Sequence, residues 1–284
     1  MAAKYLSGTK VAEATLDAVR KKVAQLKQKG ITPGLGTILV GDDPASKGYV
    51  RKKHETCELV GMNSFNIHID KNANQNDLMD AVEQFNQNKE VDAFILQYPI
   101  PQQFNFNEAM AAMLPSKDAD GLHPVNLGKL VLQESGPLPC TPAGIVEILK
   151  HYQIEVSGKH VVIVGRGTTL GRPLSLLLTM KAEGCNAAVT IVHSAVKDIA
   201  SYTRQADILI SAVGVHNVIT PDMVKADAVV ISGGISWEGN KLLPDVDENV
   251  ANVASWITPR IGGVGPTTVA MLLKNTVLAA ENRI

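Results

Sequence analysis

This sequence is poor in cysteine, in charge imbalance and in long apolar runs, and each shortage excludes something. Three cysteines in 284 residues, Cys57, Cys140 and Cys185, lie far apart, are odd in number and form no C-x-x-C pair. That argues against a disulfide framework or a Cys-based zinc site, and no metal is expected. A reducing cytoplasm suits such a chain. Neither sign of charge dominates, with 27 Lys+Arg against 28 Asp+Glu. No long basic block runs through the chain, so a surface built to neutralise nucleic-acid phosphates is not expected. Apolar runs such as VVIVG and LLL fall far short of a membrane span, and the opening MAAKYLSGTK has no apolar stretch of the export-signal kind. A protein away from membranes, in the cytoplasm, is the expectation. Repeats at solenoid periods and low-complexity tracts are also lacking. What remains is 45% hydrophobic and 19% charged residues, enough to bury a core without cross-links in two modest domains.

Helix and strand signals alternate from end to end. Residues 8–30 carry apolar side chains at helical spacing and close on Gly30, as a glycine just past a helix end would. TPGLGTILVGDDP reads as a strand and turn, and the helical pattern resumes from Ala45 to about Val60. NSFNIHID, NQNDLMDAVEQFNQN and VDAFILQYPIP then read as strand, helix and strand, the last ended by two prolines. Strands separated by helices imply right-handed crossovers and a largely parallel sheet. The stretch 105–139 is richer in Pro, Gly and polar residues, and from Lys159 a new series begins with VVIVG, AVTIVH, ADILISAV and AVVISGG, short apolar runs of the buried-strand kind. This places a boundary near Pro139 and gives the second half a doubly wound pattern. The final TTVAMLLKNTVLAAENRI is a helix whose apolar face must be buried, and packing on the first domain would bury it.

Directly after HVVIV comes Gly165-Arg166-Gly167-Thr168-Thr169-Leu170-Gly171-Arg172-Pro173, opening the helix LSLLLTM. Glycines there permit a tight turn and a close approach of backbone N–H groups to a pyrophosphate at a helix N-terminus. The spacing is one residue longer than the usual dinucleotide fingerprint, and without its context a plain strand-to-helix turn reads equally well. An NAD site commonly ends its second strand in a carboxylate that binds the ribose; here AVTIVH ends in His193-Ser194, and no carboxylate follows until Asp198. Arg166 can pair with a 2′-phosphate. NADP is therefore favoured over NAD.

In the first half, Tyr49 and Lys53 stand four residues apart on one helical face. An aromatic ring beside an amine suits a flat substrate, and the charges of Arg51 and Lys52 would favour a neutral Lys53 able to move protons near neutral pH. Spacing alone favours a solvated lysine-rich face. Gln97 ends a strand, where an open α/β sheet presents ligand-binding groups. Lys117-Asp118-Ala119-Asp120-Gly121 sets two carboxylates in a turn; either could bind a polar ring edge, and an Asx-type turn followed by glycine is the plainer alternative.

Taken together, PGLGTILVGDDPASKGYVRKK, ILQYPIP, PSKDADGLHPVNLGKL, PCTPAG, VVIVGRGTTLGRP and GGVGPTTVAMLLKNT resemble the bifunctional methylenetetrahydrofolate dehydrogenase/methenyltetrahydrofolate cyclohydrolase family, the FolD type. The matching pieces run over almost the whole chain. The resemblance implies an N-terminal α/β folate-binding domain at 1–138, completed by 269–284, and a C-terminal Rossmann-type NADP-binding domain at 139–268. It also implies a cleft between the two and a homodimer. By the same resemblance Lys53 is catalytic, Gln97 positions it, Tyr49 stacks on the folate and Asp120 anchors the pterin. Leu96 and Tyr98 flank Gln97 in the substrate site, and Gly262-Gly263-Val264-Gly265-Pro266 forms the loop at the folate and nicotinamide. Gly165, Arg166, Gly167, Gly171, His193, Ser194 and Ile235 are the implied NADP contacts.

The implied chemistry is NADP-dependent oxidation of 5,10-methylenetetrahydrofolate, then hydrolysis of 5,10-methenyltetrahydrofolate to 10-formyltetrahydrofolate. Four positions depart from the family pattern. Gly167 stands where a serine is common, and Val196 ends what is usually HSxT. Val230-Ile231-Ser232-Gly233-Gly234-Ile235 replaces VIDVGI and loses a carboxylate, and Thr258-Pro259-Arg260-Ile261-Gly262-Gly263 replaces TPxPGG. These departures keep alternatives in view: a cyclohydrolase-only relative, a non-catalytic NADP sensor, or a dehydrogenase of the same plan acting on a small keto or amino acid. None touches Lys53, Gln97 or Asp120.

Overall fold

The structure is a computed structural model and describes residues 2–239 and 241–283. In chain order it forms β1 (Lys4–Tyr5), α1 (Gly8–Gln28), β2 (Gly34–Val40), α2 (Pro44–Val60), β3 (Asn63–Ile69), α3 (Gln75–Gln87), β4 (Ala93–Leu96), α4 (Phe106–Ala112), α5 (Pro124–Leu132) and α6 (Cys140–His151). It continues with β5 (His160–Val164), α7 (Gly171–Leu178), β6 (Ala188–Val192), α8 (Ala200–Thr203), β7 (Ile208–Ser211), β8 (Val229–Ser232), β9 (Ile235–Glu238), β10 (Lys241–Pro244), β11 (Trp256–Ile257) and α9 (Val264–Glu281).

Local chemistry explains where the helices of the first half begin and end. Gly30 takes φ 79° just past α1. Asp43 caps α2 by accepting from the Ser46 N–H at 2.7 Å, Pro44 opens the helix with its φ already set, and Gly61 closes it in the left-handed region. Asn74 and Asp77 form a reciprocal capping box on α3.

The chain divides into two compact units. One comprises Ala14–Leu138 with Val269–Ile284. Its sheet has three parallel strands in the order β3-β2-β4. All of β2 is buried, so it is the central strand and reads as a continuous apolar run. Ile38, Val40, Leu78, Val82, Phe85, Phe94 and Leu96 form the core around it. Gly36 is required there, because a Cβ would stand 2.7 Å from the Phe94 Cβ and 2.9 Å from the Phe85 ring. From α9, Leu272, Leu273, Val277 and Ala280 are buried. Lys22 Nζ lies 2.5 Å from Glu281 Oε1, and Arg283 pairs with the buried Asp92.

The other unit comprises Met1–Glu13 with Pro139–Thr268. Its six parallel strands run in the order β1-β11-β8-β7-β5-β6. Both faces are covered, and alternate residues of each strand serve different cores. Val161 and Ile163 pack with Ile145, Ile148, Leu174 and Leu178; Val162 and Val164 pack with Leu209, Val230 and Ile257. The chain goes from β5 to β6 on one side and then to β7 on the other, so the switch in direction falls between β5 and β7.

Two features differ from the sequence reading. The first residues do not belong with 14–138: Lys4 and Tyr5 pair in parallel with Trp256 and Ile257, which places the stretch up to Glu13 in the unit holding 139–268. A two-residue edge strand is too short to carry a periodic signal. The segment after β8 also folds back as the antiparallel hairpin β9–β10, with Ile235 opposite Pro244 and Trp237 opposite Leu242.

Candidate active site

Lys53 lies on α2, the helix that leaves the central strand β2, and Gln97 sits at the carboxyl end of the neighbouring β4, its N–H bonded to Ile38 O at 2.9 Å. The strand order thus brings together two residues 44 apart in the chain. Lys53 Nζ donates to Gln97 Oε1 at 2.6 Å, and Gln97 Nε2 donates to Tyr98 O at 2.7 Å. The second bond fixes the amide: a backbone carbonyl can only accept, so the NH2 end faces Tyr98 and the oxygen is left for the lysine. Gln97 is only 8% exposed. The same lysine nitrogen lies 5.9 Å from the Tyr49 ring centroid, so the i,i+4 pair brings the amine near an aromatic face. Leu96 is buried and Tyr98 exposed on either side of Gln97. Arg51 Nε lies 3.7 Å from Glu55 Oε1, one turn further along the exposed face of α2.

The two carboxylates of the 117–121 turn have different environments. Asp118 is buried and accepts from the N–H groups of Gly121 (2.9 Å) and His123 (2.7 Å) and from Asn126 Nδ2 (2.9 Å). It closes the turn. Asp118 bridges in parallel register to Phe94, and the Ala119 N–H donates to Phe94 O at 3.2 Å, so the turn is tied to the strand that leads to Gln97. The turn is held from the other side by Asn275 of α9, whose Nδ2 donates to Ala119 O at 3.0 Å and to Leu138 O at 2.9 Å. Neither Asp118 as the turn-former nor Asn275 as its anchor was distinguishable in the sequence.

In the other unit, the glycine turn follows β5. Gly165 has φ 118°, and a Cβ there would lie 2.3 Å from Ala212 O; at Gly171 a Cβ would lie 2.2 Å from Gly165 O. Both are cradle positions that only glycine fits. At Gly167 no atom lies within 4 Å of such a Cβ, so that glycine is not demanded by packing. Arg166 is exposed beside it. Because Val164 pairs with Val192 and Gly165 N–H donates to Val192 O at 2.8 Å, His193 and Ser194 follow at the adjacent strand end. The His193 Nδ1 accepts from the Ala195 N–H at 3.3 Å, which turns the chain there. The turn thus packs tightly at Gly165 and Gly171, exposes Arg166 beside Gly167, and has no carboxylate from His193 to Lys197 at the adjacent strand end.

Gly262 has φ 76°, and a Cβ on it would meet Thr9 Oγ1 at 2.6 Å; one on Gly8 would meet Gly263 O at 1.8 Å. The start of α1 therefore lies backbone to backbone against this loop. Val264, Gly265 and Pro266 form the first turn of α9 rather than loop, and Gly265 has open space around it. Ile235, 39% exposed, opens β9. A cavity of about 430 Å³ lies at the opposite, amino end of this sheet, lined by Lys159, Asp207, Lys225 and Trp256 among others. It has no glycine turn and lies away from Gly165. Among the described residues no three His, Cys, Asp or Glu side chains gather as metal ligands, and no helix is long and apolar enough to cross a membrane.

An open parallel sheet with a glycine turn at its switch point, in a chain whose other unit sets a lysine–glutamine pair at a strand end, defines a two-domain α/β dinucleotide enzyme. Residues 6–120 match the tetrahydrofolate dehydrogenase/cyclohydrolase catalytic-domain model, and residues 139–284 match the NAD(P)-binding-domain model of the same name. The chain belongs to the tetrahydrofolate dehydrogenase/cyclohydrolase family. It is 64% identical over 283 residues to the bifunctional protein FolD of Syntrophotalea carbinolica, covering 100% of this chain and 98% of that one. Among solved structures it is similar to the bifunctional methylenetetrahydrofolate dehydrogenase/cyclohydrolase of Campylobacter jejuni, with TM-score 0.94, 40% identity and 100% of each chain covered. The Trypanosoma brucei enzyme, solved with NADP cofactor and inhibitor, aligns with TM-score 0.93 and 35% identity over 100% of this chain and 99% of that one.

Proposed function

We propose that this chain performs both reactions of its family through the side chains described above. It is a bifunctional one-carbon folate enzyme: it oxidises 5,10-methylenetetrahydrofolate with NADP and hydrolyses the 5,10-methenyl product to 10-formyltetrahydrofolate. Bound NADP supplies the hydride acceptor. Gly165 and Gly171 leave room for its pyrophosphate, Arg166 and Ser194 suit the 2′-phosphate, and His193, Gly167 and Ile235 line the same strand ends. For the oxidation the protein's task is positioning, because the folate nitrogens stabilise the cation as it forms. Tyr49 supports the flat ring, Asp120 binds its polar edge, and Gly262-Gly263-Val264-Gly265-Pro266 lines the approach.

Hydrolysis asks more of the side chains. Water adds to the methenyl carbon and releases one proton to solvent, and its second proton must travel to N5 as the bond from that carbon to N5 breaks. Lys53 Nζ is the group that takes and returns it. Gln97 holds one N–H of Lys53, so the amine keeps a fixed direction toward the substrate. The observation that carries this reading is the pair of bonds at Gln97, 2.6 Å to Lys53 and 2.7 Å to Tyr98 O. A cytoplasmic homodimer is the assembly we infer, from membership of the family; sedimentation of the purified protein tests the dimer.

The test of function is formation of reduced nicotinamide from 5,10-methylenetetrahydrofolate with NADP and NAD in parallel, beside the disappearance of 5,10-methenyltetrahydrofolate. Turnover with NADP well above NAD, together with hydrolysis, is expected. Absence of reduction with either cofactor would overturn the dehydrogenase assignment.

A further inference from the structure

Asp245 is an acidic residue with no solvent exposure, and the mechanism above does not use it. Its Oδ2 accepts from Ser211 Oγ at 2.7 Å and from the Val213 N–H at 2.8 Å; its Oδ1 accepts from the N–H groups of Gly214 at 2.9 Å and Val215 at 3.0 Å. These donors are three successive backbone amides and the last residue of β7, so one carboxyl group fixes the whole loop at the carboxyl end of that strand. The loop needs such a holder, because Val213 and Val215 are 41% and 52% exposed and pack little.

The loop lies at the switch point, where Gly165 approaches Ala212 closely enough that a Cβ would stand 2.3 Å from its carbonyl. Asp245 also constrains the segment after β8: a Cβ on Gly234 would stand 2.2 Å from Asp245 Oδ2, and one on Gly214 would stand 3.3 Å from Ile235 O. The β9–β10 hairpin explains how Asp245 arrives. It leaves at Ile235, returns at Pro244 in register with Ile235, and delivers the next residue beneath the β7 loop. The Asp245 backbone is itself held, its C=O accepting from Ile219 N–H at 3.1 Å.

We propose that Asp245 is a positioning residue for the dinucleotide: it holds Val213–Val215 and Gly234–Ile235 in the arrangement that receives NADP between the ends of β5 and β7. The inference rests on the functional reading above. Removing an acceptor that serves several buried donors leaves those donors unpaired in the empty protein, and the loop then has to be ordered by the ligand.

The test is Asp245→Asn, which preserves size but sets an NH2 against N–H donors. NADP affinity is measured by calorimetry without folate, and hydrolysis of 5,10-methenyltetrahydrofolate is measured without NADP. Dissociation of NADP should weaken about tenfold or more, as expected for a lost acceptor facing buried donors, while hydrolysis stays within about twofold. Unchanged NADP affinity, or equal loss of affinity and hydrolysis, would overturn the proposal, the latter because it marks a general structural role. Ser211→Ala keeps the carboxyl group and removes one donor; it should weaken NADP binding about threefold with hydrolysis unchanged, and it decides by the same two readings if Asp245→Asn does not fold. The unsubstituted protein separates the two levels: failure to bind NADP there would sink the functional reading, whereas normal binding there and in both variants would sink only the role of Asp245.

Discussion

Lys53 and Gln97 depend on each other, and their substitutions should differ in kind. Lys53→Ala removes the proposed proton carrier and is expected to lower the hydrolysis rate by about 10²–10⁴-fold, the range of general acid–base catalysis. Reduced nicotinamide formation, which needs positioning rather than proton transfer, should fall less. Gln97→Glu replaces the NH2 that donates to Tyr98 O by a second oxygen, so carboxylate and carbonyl would repel and the remaining oxygen would hold Lys53 as an ammonium ion. Its hydrolysis profile should shift to higher pH; a profile superimposable on the unsubstituted one would argue against Lys53 as the base. The glycines of the cofactor turn divide as sharply. Gly165→Ala meets both a positive φ and the Ala212 carbonyl and should destabilise by about 1–3 kcal/mol or more, visible as a lower Tm and weak NADP binding. Gly167→Ser enters open space and restores a hydroxyl beside Arg166. Its Tm should be unchanged and its preference for NADP over NAD increased, by the ratio of kcat/KM values.

Among elements, α2 matters most because it carries both Tyr49 and Lys53. Its start is fixed by Asp43, which caps the Ser46 N–H. Asp43→Ala should lower stability by about 1 kcal/mol in denaturant titration, while Asp43→Ser or Asp43→Asn should retain most of it. An equal loss in all three would locate the role of Asp43 elsewhere. The elements were well marked in the sequence wherever they were long or capped: α1 with its glycine stop, α2 after Gly-Asp-Asp-Pro, and the all-apolar strands of the second sheet. The hairpin β9–β10 was not. ISWE and KLLP are short, and their pairing gives neither a two-sided apolar run nor a clean alternation. By spacing alone Asp118 and Asp120 are equivalent, because a turn motif does not say which carboxylate its own backbone will consume; only the resemblance singled out Asp120.

For the molecule as a whole, the cysteines give a clear expectation. Cys57, Cys140 and Cys185 are buried thiols. Burial pushes the Cys57 thiol up to about 12 and raises Cys185 as well. Thiolate is the reactive form, so neither should react with an aromatic disulfide reagent in the native protein near neutral pH, and all three should react once it is unfolded. Rapid labelling with loss of activity would contradict the packing. Both units are discontinuous in sequence, so a chain cut at Leu138 would leave residues 14–138 without the helix whose Asn275 holds the 117–121 turn.

The sequence by itself determined what depends on neighbours along the chain: the period of strands and helices, the caps, the glycine turn after β5, and the absence of a carboxylate after β6. These are matters of backbone dihedrals and local spacing, and they made the family recognisable. The tertiary structure alone decided the partnerships across long separations: Lys4–Tyr5 beside Trp256–Ile257, Asn275 against Ala119, and Asp245 beneath Val213–Val215. Such pairings leave no periodic trace. An isolated Asp or Asn reads as a solvated polar residue until the sheet order shows which unpaired backbone groups lie around it, and burial then makes each of those hydrogen bonds obligatory.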